Sequence, residues 1–229
     1  MGHANELSQL IPNDDSQLLI DYLAPDCASL DDFCNEIIDC IAKYRNRYTI
    51  HLLGYSMGGR LISTIFESIS EFVDGIVLIS SGFPLSRPKD RFLKRSFEQL
   101  AIEKASFFTP YDFCSWWYSL PIYSSLTTHS SFNSLIKLRA SQFQPKIFCH
   151  CIDALSALHM PMTLFNHGFQ HNNITYIFGQ LDTKYARLSE YIRQQYKHIN
   201  VLSIANTSHL CWVESPDKVQ HSIHLARAT

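Results

Sequence analysis

The chain has 229 residues, 46% of them hydrophobic and 13% aromatic, which is enough for one domain with a full core. The formal net charge is −2 and no basic stripe is present, so nucleic acid is excluded as an expected partner. No apolar run reaches the roughly 18 residues of a membrane span, the N-terminus lacks a signal-peptide pattern, and seven scattered cysteines favour reduced thiols in a cytoplasm.

The first third of the chain predicts strands alternating with helices, the pattern of a parallel α/β sheet. Apolar residues recur at helical spacing over 30–44, and Ser29 precedes them as a candidate cap. The elements predicted up to residue 79 are strands over 17–21, 48–53 and 75–79, and helices over 30–44 and 59–70.

The stretch 80–173 interrupts this alternation with helical patterns and no convincing strand. A single crossover needs far less chain, so the stretch is interpreted as a helical cap inserted over the sheet of one domain covering 1–229. The helices predicted in it cover 87–106, 110–119, 130–140 and 145–158. Beyond it, the predicted elements are strands over 174–178 and 200–204 and helices over 187–196 and 216–226.

A G-x-S-x-G pattern, GYSMG over 54–58, lies between a predicted strand and a predicted helix. Such an elbow holds a serine on strained backbone at the carboxyl end of a strand, with its hydroxyl exposed. The flanking glycines are expected because strand and helix approach too closely for a Cβ atom. Ser56 is therefore predicted to be a catalytic hydroxyl, and the alternative is a purely structural Gly/Ser turn.

A catalytic serine needs a histidine beside it, and that histidine needs an orienting carboxylate. Asp182 and His209 each follow a predicted strand late in the chain, in the order Ser, Asp, His. The carboxyl ends of parallel strands are where such sites are built, which predicts a Ser56–His209–Asp182 triad. Asp182 could instead only cap the next helix, and His209 could be a packed loop residue.

Other clusters of metal-ligating residue types do not have the spacing of a metal site. Cys149, His150 and Cys151 are consecutive and point in different directions, and Gly168 weakens a helical face between His167 and His171. We expect no metal and no cofactor.

Five motifs in order resemble the family of 2-succinyl-6-hydroxy-2,4-cyclohexadiene-1-carboxylate synthase (MenH), which has the α/β-hydrolase fold. The resemblance extends from about residue 29 to the C-terminus. The bare elbow is common to many hydrolases, whereas the arginine after it and the Asp-x-Lys-Tyr after the acid are narrower features. The motifs are GYSMGGR, WWYSLPIY, KLR, GQLDTKY and SHLCWVESP.

The resemblance implies a carbon–oxygen lyase of menaquinone biosynthesis. Its reaction eliminates pyruvate from a succinyl-enolpyruvyl-hydroxycyclohexene-carboxylate and begins by proton abstraction next to a carbonyl. Ser56, activated by His209 and Asp182, would be the base. The implied partner is a small anionic substrate with several carboxylates, and we expect a cytoplasmic monomer.

The resemblance also assigns substrate-binding residues, namely Tyr55, Arg60, Trp117 and Arg139, with Lys94 as the closest match to a further family arginine and Arg95 next to it. Guanidinium groups suit such a substrate because they bind carboxylates bidentately, whereas a lysine would act as a point charge. The alternatives are a solvated helix residue for Arg60, an ion pair with the sheet domain for Arg139 and a cap-core aromatic for Trp117.

The chain departs from the family before the elbow. The family has a strand that ends in His-Gly-aromatic and supplies half of the oxyanion hole, with the N–H of Met57 as the other half. Only QLLID and YTIHLL precede Ser56 as strand candidates, and LAPDCAS replaces a Pro-Gly-His-Gly loop. The departure leads us to expect that Met1 is an internal methionine and that the native reading frame starts upstream.

Two other functions remain open from the sequence. One is a carboxylesterase or thioesterase that uses the same triad through an acyl-enzyme. The other is an inactive, shortened relic of the fold.

Overall fold

Four parallel strands form the sheet of this computed structural model, which describes residues 4–11, 17–20, 29–165 and 173–227. The spatial order is β1-β2-β3-β4, the order of the chain, and every neighbouring pair is parallel. Leu53 is opposite Val77, which in turn is opposite Thr175. The strands are β1 (His51–Tyr55), β2 (Gly75–Ile79), β3 (Ile174–Gly179) and β4 (Ile199–Ile204).

Ten α-helices accompany the sheet in the described part of the chain. One helix, α3, connects β1 to β2, and α8 connects β3 to β4, whereas four helices lie between β2 and β3. The helices are α1 (Ala4–Leu7), α2 (Leu30–Tyr44), α3 (Met57–Ile69), α4 (Pro88–Phe107), α5 (Pro110–Tyr118), α6 (Phe132–Gln142), α7 (Pro145–Ala154), α8 (Thr183–Gln195), α9 (Cys211–Glu214) and α10 (Pro216–Arg227).

The two central strands are buried on both faces, as parallel strands covered by helices must be. Successive side chains of a strand point to opposite faces, so β2 contributes to two separate hydrophobic clusters. Ile76 and Leu78 join the cluster that contains α2, α3 and α8, whereas Val77 and Ile79 join the cluster that contains α10 and much of α4–α7. The sheet is therefore sandwiched between two cores.

The predicted elements after residue 29 are present, with ends that differ by a few residues. Ser29 caps α2 as predicted: its hydroxyl accepts from the Asp32 N–H, and the Asp32 carboxylate accepts from the Ser29 N–H at 2.8 Å. Strand Gly75–Ile79 is confirmed with both ends. The strand predicted over 48–53 starts and ends later, because the chain stays extended up to the elbow at Tyr55.

The strand predicted over 17–21 is wrong for residues 17–20, which form no regular structure. Leu18 and Leu19 are exposed there, whereas Ile20 packs partly buried against the core, so these residues contact the domain without pairing with the sheet. Asp21 lies outside the described residues, as do residues 23–28 of the LAPDCAS loop and both His167 and His171. In the described residues β1 forms an edge of the sheet and is only partly buried.

The described residues between β2 and β3 contain helices and no strand, as the sequence predicts. The interpretation of 80–173 as a cap within one domain stays a prediction. None of the helices in the described ranges is long and apolar enough to cross a membrane.

Candidate active site

Ser56 lies in a sharp turn between β1, which ends at Tyr55, and α3, which begins at Met57. Its backbone has φ 49° and ψ −102°, a region that costs a residue other than glycine on the order of 1–3 kcal/mol. The Ser56 N–H donates to the Ile79 carbonyl at 2.8 Å, which fixes the turn to the neighbouring strand. This is the strained elbow geometry that the G-x-S-x-G pattern predicts.

Close approach of strand and helix explains two of the glycines in this turn. A Cβ on Gly54 would lie 2.6 Å from the Gly59 Cα, and a Cβ on Gly59 would lie 2.7 Å from the Ser81 Cβ. A Cβ on Gly58 would meet nothing within 4 Å. The steric reason expected for the motif glycines is thus correct for Gly54 and wrong for Gly58. On the helix side the close approach is at Gly59 instead.

The structure brings Ser56, His209 and Asp182 together. The Ser56 Oγ lies 3.2 Å from His209 Nε2, and His209 Nδ1 lies 2.8 Å from Asp182 Oδ2. Asp182 and His209 are both buried. Asp182 Oδ1 also accepts from the Tyr185 N–H at 3.3 Å, so the carboxylate caps α8 and orients the histidine at once.

Burial lowers the pKa of His209, and the positive charges of Lys184 and Arg60 lower it further, against the opposing effect of Asp182. The imidazole is therefore neutral near pH 7. In a neutral ring that satisfies both contacts, Nδ1–H donates to Asp182 and Nε2 accepts from the Ser56 hydroxyl. This is the arrangement that a general base requires.

Aromatic rings enclose the histidine. The ring centroids of Tyr55, Tyr123 and Tyr185 lie 5.3, 5.4 and 4.8 Å from that of His209. Burial raises the pKa of the Tyr55 phenol well above its ordinary value, so Tyr55 remains a neutral hydrogen-bond donor. Met57 occupies the first turn of α3, where N–H groups have no acceptor within the helix, which suits its predicted role as an oxyanion donor.

Three cationic side chains lie within electrostatic reach of one another beside this triad. The Lys94 ammonium is 2.8 Å from Glu98 Oε1, and the buried Glu98 also accepts from the Ser156 hydroxyl at 2.8 Å. Burial, followed by the positive charge of Arg60, lowers the pKa of Lys94 to about 8, and Lys184 contributes in the same direction. The charges of Arg60 and Lys184 lower the pKa of His209 as well, so two of these three cations lie near the histidine.

Lys184 is the member of this group that the sequence analysis did not single out as a binding residue. It lies in the first turn of α8, where the helix dipole disfavours a positive charge. Its ammonium is 5.1 Å from the ring of Tyr185, which itself contacts His209. The sequence signal that could have identified Lys184 is its position in the first turn of a helix, two residues after Asp182.

Arg139 is fully buried and its guanidinium forks the carboxylate of Glu6 in α1 through both Nη atoms. Arg139 therefore forms an ion pair, one of the two roles considered for it, and its partner lies in the first helix. In this structure both Nη atoms of Arg139 are bonded to Glu6, and the role of Arg139 in substrate binding stays a prediction.

Trp117 belongs to an aromatic cluster of the helices between β2 and β3. It stacks on Phe113 with centroids 5.9 Å apart, and its Nε1–H donates to the Tyr123 hydroxyl at 3.2 Å. Since Tyr123 contacts His209, Trp117 is linked to the triad through one intervening ring. It is half-buried, and its predicted contact with substrate remains a prediction.

The described ranges contain no group of three or more histidine, cysteine, aspartate or glutamate residues arranged to hold a metal ion.

A parallel sheet flanked by helices, with a serine elbow after a strand and its partners after later strands, defines the α/β-hydrolase fold. Solved structures of that fold match this chain. They include MenH from S. aureus, with a TM-score of 0.76, 18% identity, and coverage of 94% of this chain and 79% of that one. A carboxylesterase of the thaumarchaeon Nitrososphaera gargenis matches with a TM-score of 0.66, 16% identity and coverage of 86% and 70%. These similarities show the fold.

No family model matches this chain, and a curated relative matches it at low identity. The relative is the chloroplastic protein PHYLLO of Arabidopsis thaliana, 23% identical over 178 residues. The match covers 74% of this chain, and the chain spans about a tenth of the length of that relative.

Proposed function

We propose that this protein is a carbon–oxygen lyase that eliminates pyruvate from an anionic succinyl-enolpyruvyl-hydroxycyclohexene-carboxylate, as the MenH family does. The observation that carries the proposal is the group of Arg60, Lys94 and Lys184 beside the Ser56–His209 pair. Cations grouped beside the reacting serine attract an anion, and a substrate with several carboxylates supplies one, while Glu98 holds Lys94 in place.

The proposed reaction starts at the serine hydroxyl. His209 takes the hydroxyl proton of Ser56, and the resulting alkoxide removes the proton next to the substrate carbonyl. Negative charge then develops on the carbonyl oxygen, where the N–H of Met57 is a donor. The electrons of the broken C–H bond form a ring double bond, and the C–O electrons leave with the enolate of pyruvate, which takes the proton held by His209 and becomes pyruvate.

The proposal assigns binding to the cations and orientation to the aromatic groups. Arg60 presents a fork for one carboxylate, and Lys94 presents a point charge held by Glu98. Lys184 adds a second point charge on the side of α8. Tyr55 donates a hydrogen bond, and Trp117 contacts the ring of the substrate.

Pyruvate release, coupled to lactate dehydrogenase, tests the proposal directly. Ser56→Ala should abolish it, and Arg60→Met should lower kcat/KM about 10- to 100-fold, the loss expected for one charged hydrogen-bonding partner. Lys218→Met is the matched control, since Lys218 is an exposed residue of α10. Equal activity of the Arg60 and Lys218 variants would contradict an anion-binding role for Arg60.

The second candidate is a carboxylesterase or thioesterase, which the triad geometry and the esterase neighbours favour. In that reaction Ser56 attacks an ester or thioester and forms an acyl-enzyme. Rapid hydrolysis of neutral p-nitrophenyl esters without pyruvate release, together with insensitivity to Arg60→Met, would support the esterase over the lyase.

A further inference from the structure

The carboxylate of Glu214, at the end of α9, accepts three hydrogen bonds from two directions. Oε1 accepts from the Ser208 N–H at 3.0 Å and from the Ser208 hydroxyl at 2.6 Å. Oε2 accepts from the hydroxyl of Ser125, which precedes the short turn Leu126–Thr128 between α5 and α6. Ser208 is fully buried and directly precedes His209.

Glu214 is also bonded to the residue that follows the histidine in the chain. Its N–H donates to the carbonyl of Leu210 at 3.1 Å, and Leu210 directly follows His209. The segment 208–214 thus closes a ring of bonds around His209, with the Glu214 carboxylate at the point of closure. The position of the histidine backbone depends on that carboxylate.

The same loop is attached to the helices between β2 and β3 at two points. The His209 N–H donates to the Ile122 carbonyl at 2.9 Å, and Ser125 reaches the loop through Glu214. Ile122 and Ser125 follow α5, which carries Trp117. A displacement of this segment is therefore transmitted to the histidine through Glu214.

We infer that Glu214 is a positioning residue that holds His209 in line with Ser56 and couples it to the segment 121–128. The inference rests on the role of His209 in the proposed function, and it applies equally to the lyase and to the esterase. The site tolerates little displacement of His209, because the Ser56 Oγ and His209 Nε2 are already 3.2 Å apart, at the long end of hydrogen-bond reach. A misplacement of about 1 Å can cost on the order of 100-fold in rate.

The test compares Glu214→Ala, Glu214→Gln and Ser125→Ala with a control, Glu190→Ala, at an exposed residue of α8. Glu214→Ala should lower kcat for pyruvate release about 100-fold and change KM less than about threefold, since Glu214 does not touch the substrate. Glu214→Gln keeps an acceptor for the Ser208 N–H and should restore at least about tenfold of the loss. Ser125→Ala should lower kcat by a smaller factor, and the control should match the wild type.

A second readout does not need a substrate. The proton between His209 Nδ1 and Asp182 should give a strongly deshielded ¹H NMR signal in the wild type, which should broaden or shift in Glu214→Ala and persist in the control. If the wild type gives this signal but releases no pyruvate, the proposed lyase activity is refuted. The positioning role of Glu214 can then still be tested by the signal alone. Unchanged kcat and an unchanged signal in folded Glu214→Ala would overturn the inference. If that variant does not fold, the same two results in Ser125→Ala would overturn it.

Discussion

Replacing Gly54 by alanine should disturb both the stability and the reactivity of the elbow. The new Cβ would lie 2.6 Å from the Gly59 Cα and from its nitrogen, about 1 Å inside an ordinary carbon–carbon contact. Both obstacles are backbone atoms, so β1 and α3 must separate. Overpacking of this kind costs about 1–3 kcal/mol, and a shift of about 1 Å between Ser56 and His209 costs on the order of 100-fold in rate.

Gly58→Ala is the matched control, because a Cβ at that position meets nothing within 4 Å. It should be neutral or stabilising by up to about 1 kcal/mol, since alanine is a better helix former. At about 2–4 °C per kcal/mol, the melting temperature of Gly54→Ala should be about 2–12 °C below that of the wild type. Circular dichroism melting and pyruvate release measure the two effects. Equal behaviour of the two variants would refute the steric argument for Gly54.

Three other predictions follow from the charges around the site. Activity on the anionic substrate should fall above about pH 8, where Lys94 loses its proton, and Lys94→Arg should move that limit to higher pH; an unmoved limit would exclude Lys94 as its cause. Glu6→Gln should lower the melting temperature by about 6–20 °C, because a buried Arg139 left unpaired costs about 3–5 kcal/mol, whereas Glu103→Gln on an exposed face should not. The acid limit of kcat/KM should lie below pH 6.5, because the pKa of His209 is lowered and its neutral form is the base; a limit at or above 6.5 would contradict this.

Local patterns were sufficient to predict most of the fold after residue 29. The helix cap at Ser29 and the β-branched run of β2 are encoded in a few adjacent residues, and both are confirmed. The strand predicted over 17–21 failed because a short apolar run does not reveal whether a neighbouring strand will pair with it. Element type was thus predictable from local patterns, whereas the pairing of a short apolar run was not.

The triad was predictable because its geometry follows from topology. Parallel strands place their carboxyl ends at one edge, so residues 56, 182 and 209 could be expected to meet before any distance was known. The Arg139–Glu6 pair joins residues 133 positions apart, and no local pattern specifies which carboxylate an arginine will choose. Lys184 was noted only as part of the Asp-x-Lys-Tyr motif, although its unfavourable position at a helix N-terminus is the kind of local conflict that is typical of functional sites.

The two candidate reactions use the same triad but differ in the charge of their substrates. This difference gives a prediction that separates them. In the free enzyme burial is the main cause of the lowered pKa of His209, and the charges of Lys184 and Arg60 lower it further, which keeps the base neutral but weak. A bound substrate with several carboxylates would neutralise those two charges and so raise the pKa of His209, while the lowering effect of burial would remain. The base would therefore strengthen when, and only when, the anionic substrate is present.

For the lyase, the acidic pKa in the pH profile of kcat, which reports the enzyme–substrate complex, should exceed that in kcat/KM, which reports the free enzyme. A neutral ester cannot screen Arg60 and Lys184, so its two profiles should share one acidic pKa. The same comparison in Arg60→Met should show a smaller separation, because one of the lowering charges is gone. Coincident acidic limits for the anionic substrate would mean that its carboxylates do not bind near His209, and the cationic group would then need another explanation.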